Sequence, residues 1–373
     1  MPFTLLSASS ISGGVGDSLR PNAKPLIING DMAVAQRGTS ASSITDTGYR
    51  TCDRWEVAIG TLGTWTISQD TDVPSGYGFA NSLKLDCTTA DASPAASDNI
   101  SIKQKLEGQD VQVLKKGTAN AEKVTIAFWI KATKTGTNIL EIHDRDNTRL
   151  IGKSYTVDTT DTWEQKVIVI DADTTGALGD DNGNSWEMNW WLGAGTTFTS
   201  GTLQTTWGGQ TNANRAVGQV NHGDSTSNNV WITGVQLEVG EYTSSTLPSF
   251  QHEDFGDNLA RCQRYFFKRG NISRLGYGAV GAHTSSAAYG AQVYFPTIMR
   301  ATPSQSHENT NTFYFTGSGQ NQLLAGGGTL ANEGISKYGS SVGGTASGTL
   351  TVGNAYWFNT ADTDAYIQWD AEL

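Results

Sequence analysis

From Leu26 to about Phe250 the apolar residues recur at every second position, and that period decides most of what this chain can fold into. Val124, Ile126, Phe128 and Ile130 alternate with Thr125, Ala127, Trp129 and Lys131; Leu140 and Ile142 alternate with Glu141 and His143. Trp186, Met188, Trp190 and Leu192 alternate with Glu187, Asn189 and Trp191, and Trp231, Thr233, Val235, Leu237 and Val239 with Ile232, Gly234, Gln236 and Glu238. A period of two places each set on one face of a strand, whereas an amphipathic helix needs 3.6. Trp55–Ile59, Thr64–Ser68, Ser82–Cys87, Ile100–Leu106, Leu150–Val157 and Glu164–Ile170 complete a set of about ten short strands. Each strand has one apolar face, so a second sheet must cover it. The expected fold is all-β: a jelly-roll β-sandwich, with Glu107–Leu114 forming at most a helical turn or two. The composition agrees, since 43 Gly against 8 Pro and only 16% charged residues suit strands joined by polar turns.

A chain of 373 residues is long enough for two domains. Residues 1–25 lack any apolar period and read as an anchoring arm that orders on a partner, or as a frayed end. Residues 26–252 form the jelly-roll domain. Phe255, Leu259, Cys262 and Phe266 sit at helical spacing and predict a helical connector over 253–268, capped by Asp254 or Asp257. Residues 269–373 predict a second, smaller β-sandwich. This last stretch carries only ten charged residues, which favours packing against copies of itself.

Several functions are disfavoured. With 25 Lys+Arg against 36 Asp+Glu the net charge is −11, the wrong sign for nucleic acid or an anionic membrane surface. No apolar run is long enough to span a membrane. The opening residues lack the basic and apolar regions of a signal peptide, so folding in a reducing cytoplasm is expected. Cys52, Cys87 and Cys262 are too sparse for a disulfide scaffold or zinc site and read as buried thiols, with a Cys52–Cys87 pair as the alternative.

Two tempting motifs fail on context. Gly16-Asp17-Ser18-Leu19 spells an esterase nucleophile block, but no strand precedes it and no Asp stands three residues before any His. Gly276-Tyr277-Gly278-Ala279-Val280-Gly281 matches a dinucleotide fingerprint without the helix that must follow. Asp144-Arg145-Asp146-Asn147 and Asp180-Asp181-Asn182-Gly183-Asn184 are oxygen-rich turns that read as plain turns or as a structural Ca²⁺ site; no other cofactor is implied.

The tryptophans point to a surface. If Phe128, Trp190 and Trp231 face the core, Trp129 and Trp191 face away from it. They then share outer faces with Lys131, His143, Asn189 and Gln236, and with Glu141, Glu187 and Glu238. Rings set among hydrogen-bonding side chains grip sugars, the ring meeting C–H faces and the polar groups meeting hydroxyls. Trp129, Lys131, His143, Asn189, Trp191 and Gln236 are therefore the candidate carbohydrate-binding residues. Burial of the two rings under a loop or in a subunit contact is the alternative. Nothing singles out a catalytic pair, and the reading is non-enzymatic.

Leu26-Ile27-Ile28-Asn29-Gly30-Asp31-Met32-Ala33-Val34-Ala35-Gln36-Arg37-Gly38 resembles the opening of a module found in tailed-bacteriophage virion proteins. Asp53-Arg54-Trp55, Ser82-Leu83-Lys84, Thr125–Lys131 and Ile232–Gly240 are similar to later parts of that module. Asn258–Phe266 resembles its end, while Phe295–Pro303 and Ala371-Glu372-Leu373 resemble the C-terminal β domain that often follows it. The resemblance implies a carbohydrate-binding-module-like jelly roll on a tail or head fibre or similar appendage. It further implies assembly in the host cytoplasm, residence in the virion as a homotrimer, docking on other virion proteins through residues 1–25, and attachment to a host cell-surface glycan. A ligand-free capsid or tail decoration protein and a polysaccharide-degrading enzyme are the competing readings.

Overall fold

The structure, a computed structural model, describes residues 24–270, 276–282, 287–308, 313–317, 320–323, 330–360 and 365–373. All but the last two residues of the expected arm, and the Gly16–Leu19 motif with it, lie outside the described residues. The chain divides into two compact units, one ending at Asp254 and one running Phe255–Leu373.

The first unit holds strands β1 (Ser40–Tyr49), β2 (Glu56–Asp70), β3 (Ser82–Thr89), β4 (Asn99–Glu107), β5 (Val124–Ala132), β6 (Gly136–Asp144), β7 (Arg149–Val157), β8 (Glu164–Ile170), β9 (Asn184–Ala194), β10 (Gly208–Gly209) and β11 (Asn229–Val239). One hydrogen-bonded path runs β10-β7-β6-β9-β4-β2-β3-β11-β5-β8, and β1 pairs along β2. The path doubles back within β2. Glu56–Gly60 pairs with β4 and Thr64–Asp70 with β3. Between these halves Thr61 (φ 61°) and Gly63 (φ 73°) adopt left-handed backbone and turn the strand from one layer into the other. The Phe128 ring of β5 meets Tyr155 of β7 at 5.2 Å and Trp190 of β9 at 5.7 Å, so the two layers pack face to face.

The result is a jelly-roll β-sandwich in which β3, β4, β5, β6–β7, β8, β9 and β11 alternate between layers. On three strands the inward set is the one the alternation marks: Ile126, Phe128 and Ile130, Leu140 and Ile142, and Trp186, Met188 and Trp190 are all buried in one core. On β11 the expectation that Trp231 faces the core fails. Val230, Ile232, Val235 and Leu237 join that core, while Trp231 lies on the outer face beside Lys84 and Lys131, because a bulge between Thr233 and Gln236 shifts the phase of the alternation. Two short 3-10 turns, Gly108–Asp110 and Gln112–Leu114, occupy the expected helical stretch. The three cysteines are buried free thiols. The Asn29-Gly30-Asp31 signature has a structural task. The Asn29 amide donates to the Val34 and Asp53 carbonyls, and a Cβ on Gly30 would stand 2.3 Å from the Val235 carbonyl oxygen.

The second unit is also a two-layer β domain. A three-stranded sheet joins β12 (Phe266–Gly270), β21 (Tyr366–Asp370) and β15 (Ser304–Glu308) in that order. A seven-stranded sheet contains β13 (Gly276–Ala282), β14 (Ala287–Tyr294), β16 (Phe313–Gly317), β17 (Gln320–Leu323), β18 (Leu330–Ser336), β19 (Gly339–Thr345) and β20 (Ala355–Thr360), ordered β17-β16-β20-β13-β14-β19-β18. Ile367 and Trp369 of the smaller sheet share a core with Val293, Phe313, Phe315 and Phe358 of the larger. The dinucleotide-like glycines lie in β13, an ordinary strand.

The expected connector over 253–268 differs in two respects. Its helix spans only Phe255–Gln263, and Phe266 opens a strand whose pairing partner is β21. The helix is therefore part of the second unit.

Candidate saccharide-binding site

The six candidate residues fall on the outer faces of two different layers, and the layers treat them differently. On the β6–β9 layer, His143 stands opposite Glu187, and Asn189 opposite Glu141. The Arg215 guanidinium clamps Glu141 through two bonds of 2.8 and 2.6 Å, while the Asn189 amide donates to both Glu141 and Glu187. Burial would raise the Glu187 carboxyl, but Lys103 at 3.1 Å and the Arg145 and Lys105 charges outweigh it and hold it at about 2. Burial first, and the Arg145 guanidinium second, push His143 below the usual imidazole range. Trp191 is 3% exposed, its ring set between Phe198 at 5.3 Å and the Arg215 guanidinium at 5.2 Å.

The cover comes from the chain between β9 and β11, which lays Phe198, Leu203 and Ala216 over Ile139 and Trp191 as a small satellite core. His143, Asn189 and Trp191 are thus buried and leave the candidate site. Trp191 is the ring under a loop.

The β5–β11 layer is open. Trp129, Gly234 and Gln236 form the floor of a cavity of about 430 Å³, within the range of small-molecule sites, with the exposed Gln165 of β8 at its rim. Tyr77 and Phe79 wall one side, and Phe250 and His252, returning after β11, wall the other. Gly76 (φ 87°) and Gly78 (φ 82°) flank Tyr77 and let the loop present it outward, 54% exposed. Tyr77 leans on Trp129 with centroids 4.3 Å apart, so Trp129 (8% exposed) is a supporting floor and Tyr77 the accessible ring. Phe79 meets Phe250 edge-on at 5.0 Å and His252 at 5.3 Å.

A β-bulge between Thr233 and Gln236 makes room for this packing. Gly234 there has φ 60°, and a Cβ would stand 2.5 Å from the Phe79 ring. The Gln236 amide donates to the Pro248 carbonyl at 3.0 Å and so fastens the returning segment to the sheet. Lys131 stays outside the cavity. Its ammonium bonds Asp72 at 2.6 Å and lies 4.6 Å from the Trp231 ring centroid. Burial works against the Asp72 charge, yet hydrogen bonds from Lys131 and the Trp163 indole hold that carboxyl below the usual range.

Of the six candidate residues, Trp129 and Gln236 line this cavity. Tyr77, Phe79, Phe250, His252 and Gln165, which line it as well, are not among the six. Their one signal is Gly76-Tyr77-Gly78-Phe79, aromatics spaced by glycines outside any strand.

The two oxygen-rich turns are held by protein donors. The Lys116 ammonium sits among Asp144 Oδ2 (2.5 Å), Asp173 Oδ2 (3.0 Å) and the carbonyls of Thr175 (2.8 Å) and Gly176 (2.9 Å), with the Trp207 ring at 5.2 Å. Asp146 accepts from the Gly179 amide and Asp181 from the Gly183 amide. Among the described residues no three His, Cys, Asp or Glu side chains gather as a metal site.

No family model matches the chain, and no curated protein matches it in sequence. Among solved structures it matches carbohydrate-binding modules and a phage tailspike domain. The enzymatically active domain of bacteriophage CBA120 tailspike protein 4 is 12% identical, over 58% of this chain and 21% of that one, with TM-score 0.31. A family 4 carbohydrate-binding module is 13% identical over 57% of this chain and 97% of its own, with TM-score 0.29. The module TmCBM61, in complex with β-1,4-galactotriose, is 11% identical over 58% and 99%, also at 0.29. Such likenesses transfer no residue from one site to another, so the cavity has to be read from its own geometry.

Proposed function

We propose that this chain is a non-catalytic structural protein of a bacteriophage virion, part of a tail or head fibre or similar appendage, that attaches to a host cell-surface glycan. The aromatic-walled cavity at Tyr77 carries the reading. It offers an exposed ring for sugar C–H faces beside the amides and hydroxyls of Gln165, Gln236, Ser244 and Ser249 for sugar hydroxyls. One such cavity binds weakly, and many copies on one particle make attachment strong. Residues 1–25 dock the protein on other virion proteins.

The copies associate as a homotrimer through the C-terminal unit. Residues 275–299, 309–332 and 338–361 contain no Asp, Glu, Lys or Arg. Tyr294, Ile298, Tyr338, Val352 and Trp357 are exposed there. A charge-free, partly apolar surface is what self-association uses. Light scattering is expected to report three times 39.8 kDa, and a monomer at micromolar concentration would rule the trimer out.

A glycan array of host-envelope saccharides tests the site. Tyr77→Ala and Phe250→Ala are expected to lower the signal about tenfold or more, since loss of a stacked ring costs on the order of 1–2 kcal/mol. Trp191→Phe is expected to leave it unchanged. Full signal in both cavity variants would place attachment elsewhere.

A further inference from the structure

The chemistry of the cavity lining narrows the class of saccharide, on the premise that the cavity is a saccharide site. Its walls and floor come from five separate stretches of chain: Gly76–Phe79, β5, β8, β11 and Ser244–His252. None of the thirteen lining residues is Asp, Glu, Lys or Arg. The polar groups that reach it are carboxamides, hydroxyls and the His252 imidazole. That imidazole is already engaged, its Nε2 lying 3.3 Å from the Tyr77 carbonyl oxygen.

Two lysines lie near it by strand register: Lys166, next to Gln165 on β8 and paired with Glu164 and Asp158, and Lys131, two residues along β5 from Trp129. The Lys131 ammonium is committed to Asp72 at 2.6 Å and stacked over Trp231. A carboxylate, sulfate or phosphate entering this cavity would lose water and meet no guanidinium or ammonium in return. Giving up hydration without gaining an ionic partner disfavours an anion there. The chain's net charge of −11 adds a long-range repulsion to the same ligands. Neutral pyranose units meet neither penalty, and their hydroxyls match the donors and acceptors present.

We infer that the Tyr77 cavity selects neutral saccharides and rejects uronates, sialylated glycans and phosphorylated glycans. The host-surface component this protein recognises is then an uncharged stretch of sugar, not the acidic groups that dominate many envelope polysaccharides.

The full-length protein would be titrated calorimetrically with gluco-, galacto- and manno-oligosaccharides, each against the uronate oligosaccharide of the same length. At least one neutral series is expected to bind, with its uronate partner weaker by tenfold or more. Gln165→Lys is expected to shrink that ratio, because Gln165 is an exposed lining residue and the substitution adds an ammonium to the rim without disturbing the core. A uronate that binds as tightly as its neutral partner, in a Tyr77-dependent manner, would overturn neutral selectivity while leaving the saccharide site standing. A ratio unmoved by Gln165→Lys would also overturn it. Binding by neither class would overturn both the selectivity and the site.

Discussion

Replacing Lys116 with methionine keeps a long flexible side chain but removes the charge that ties three loops of the jelly roll together. Asp144, Lys116 and Asp173 are all buried, and the ammonium satisfies two carboxylates and two backbone carbonyls at once. Removing one partner of a buried ion pair leaves an uncompensated charge and costs about 3–5 kcal/mol. For a unit of this size that corresponds to a fall of about 6–20 °C in melting temperature. Nine of the eleven tryptophans precede residue 250, so tryptophan fluorescence reports mainly on the first unit.

The pH dependence supplies a second readout. Burial works against the Asp173 charge, but hydrogen bonds from Arg149 and Lys116 prevail and hold its carboxyl below the usual range. A depressed carboxyl contributes stability that is present above its unfolded pKa and lost as pH falls through the folded value. The gap between wild type and Lys116→Met is therefore expected to be full at pH 7 and to narrow below about pH 4. The wild type is expected to be indifferent to chelators, the ammonium already filling the oxygen cage. A loss under about 1 kcal/mol, too small for a buried charge left alone, would refute the reasoning, as would a gap constant with pH.

Gly234→Ala is expected to abolish saccharide binding and to cost about 1–3 kcal/mol, because it combines left-handed backbone with a methyl 2.5 Å from the Phe79 ring; calorimetry and melting check the two effects. Trp191→Ala is expected to destabilise the first unit by about 3–5 kcal/mol, with the affinity of the surviving folded fraction unchanged. His222 is buried, and burial, then the Lys134 charge, lower its pKa to about 4. The unfolded chain therefore binds a proton that the folded chain refuses, so stability falls by about 3 kcal/mol as pH drops from 6.5 towards 4. His222→Gln is expected to flatten that slope in urea titrations.

Trp129 and Trp191 show where sequence reasoning stops. Both follow an inward-facing aromatic by one residue, so the period of two puts both on outer faces, and both are there. What separates them is the cover. Trp191 is roofed by residues 198–216, and Trp129 is flanked by residues 76–79 and 248–252. None of these segments carries an apolar period long enough to mark a strand or helix. The inner faces were legible because strand geometry forces alternation, whereas loop placement depends on contacts between residues far apart in the chain. Strand β1 escaped for a related reason: Ser40–Tyr49 lies mostly exposed at the edge of β2 and carries no apolar face. At the connector, Phe266 satisfies two patterns at once. It stands four residues after Cys262, as a helix requires, and it also begins a strand, and backbone pairing with β21 decides the matter.

The placement of β11 has a consequence for how the protein is made. This strand, Asn229–Val239, lies between β3 and β5 and supplies the pairing that joins them. Until it emerges from the ribosome, β3 and β5 present unpaired backbone edges and apolar faces, and the layer containing them stays open. Strands with open edges and distant partners fold slowly and invite pairing with other chains. A nascent chain stalled anywhere between residues 133 and 228 is thus an aggregation hazard. Synthesis of many copies side by side in one cell makes completion of β11 the step at which the jelly roll becomes safe from its neighbours.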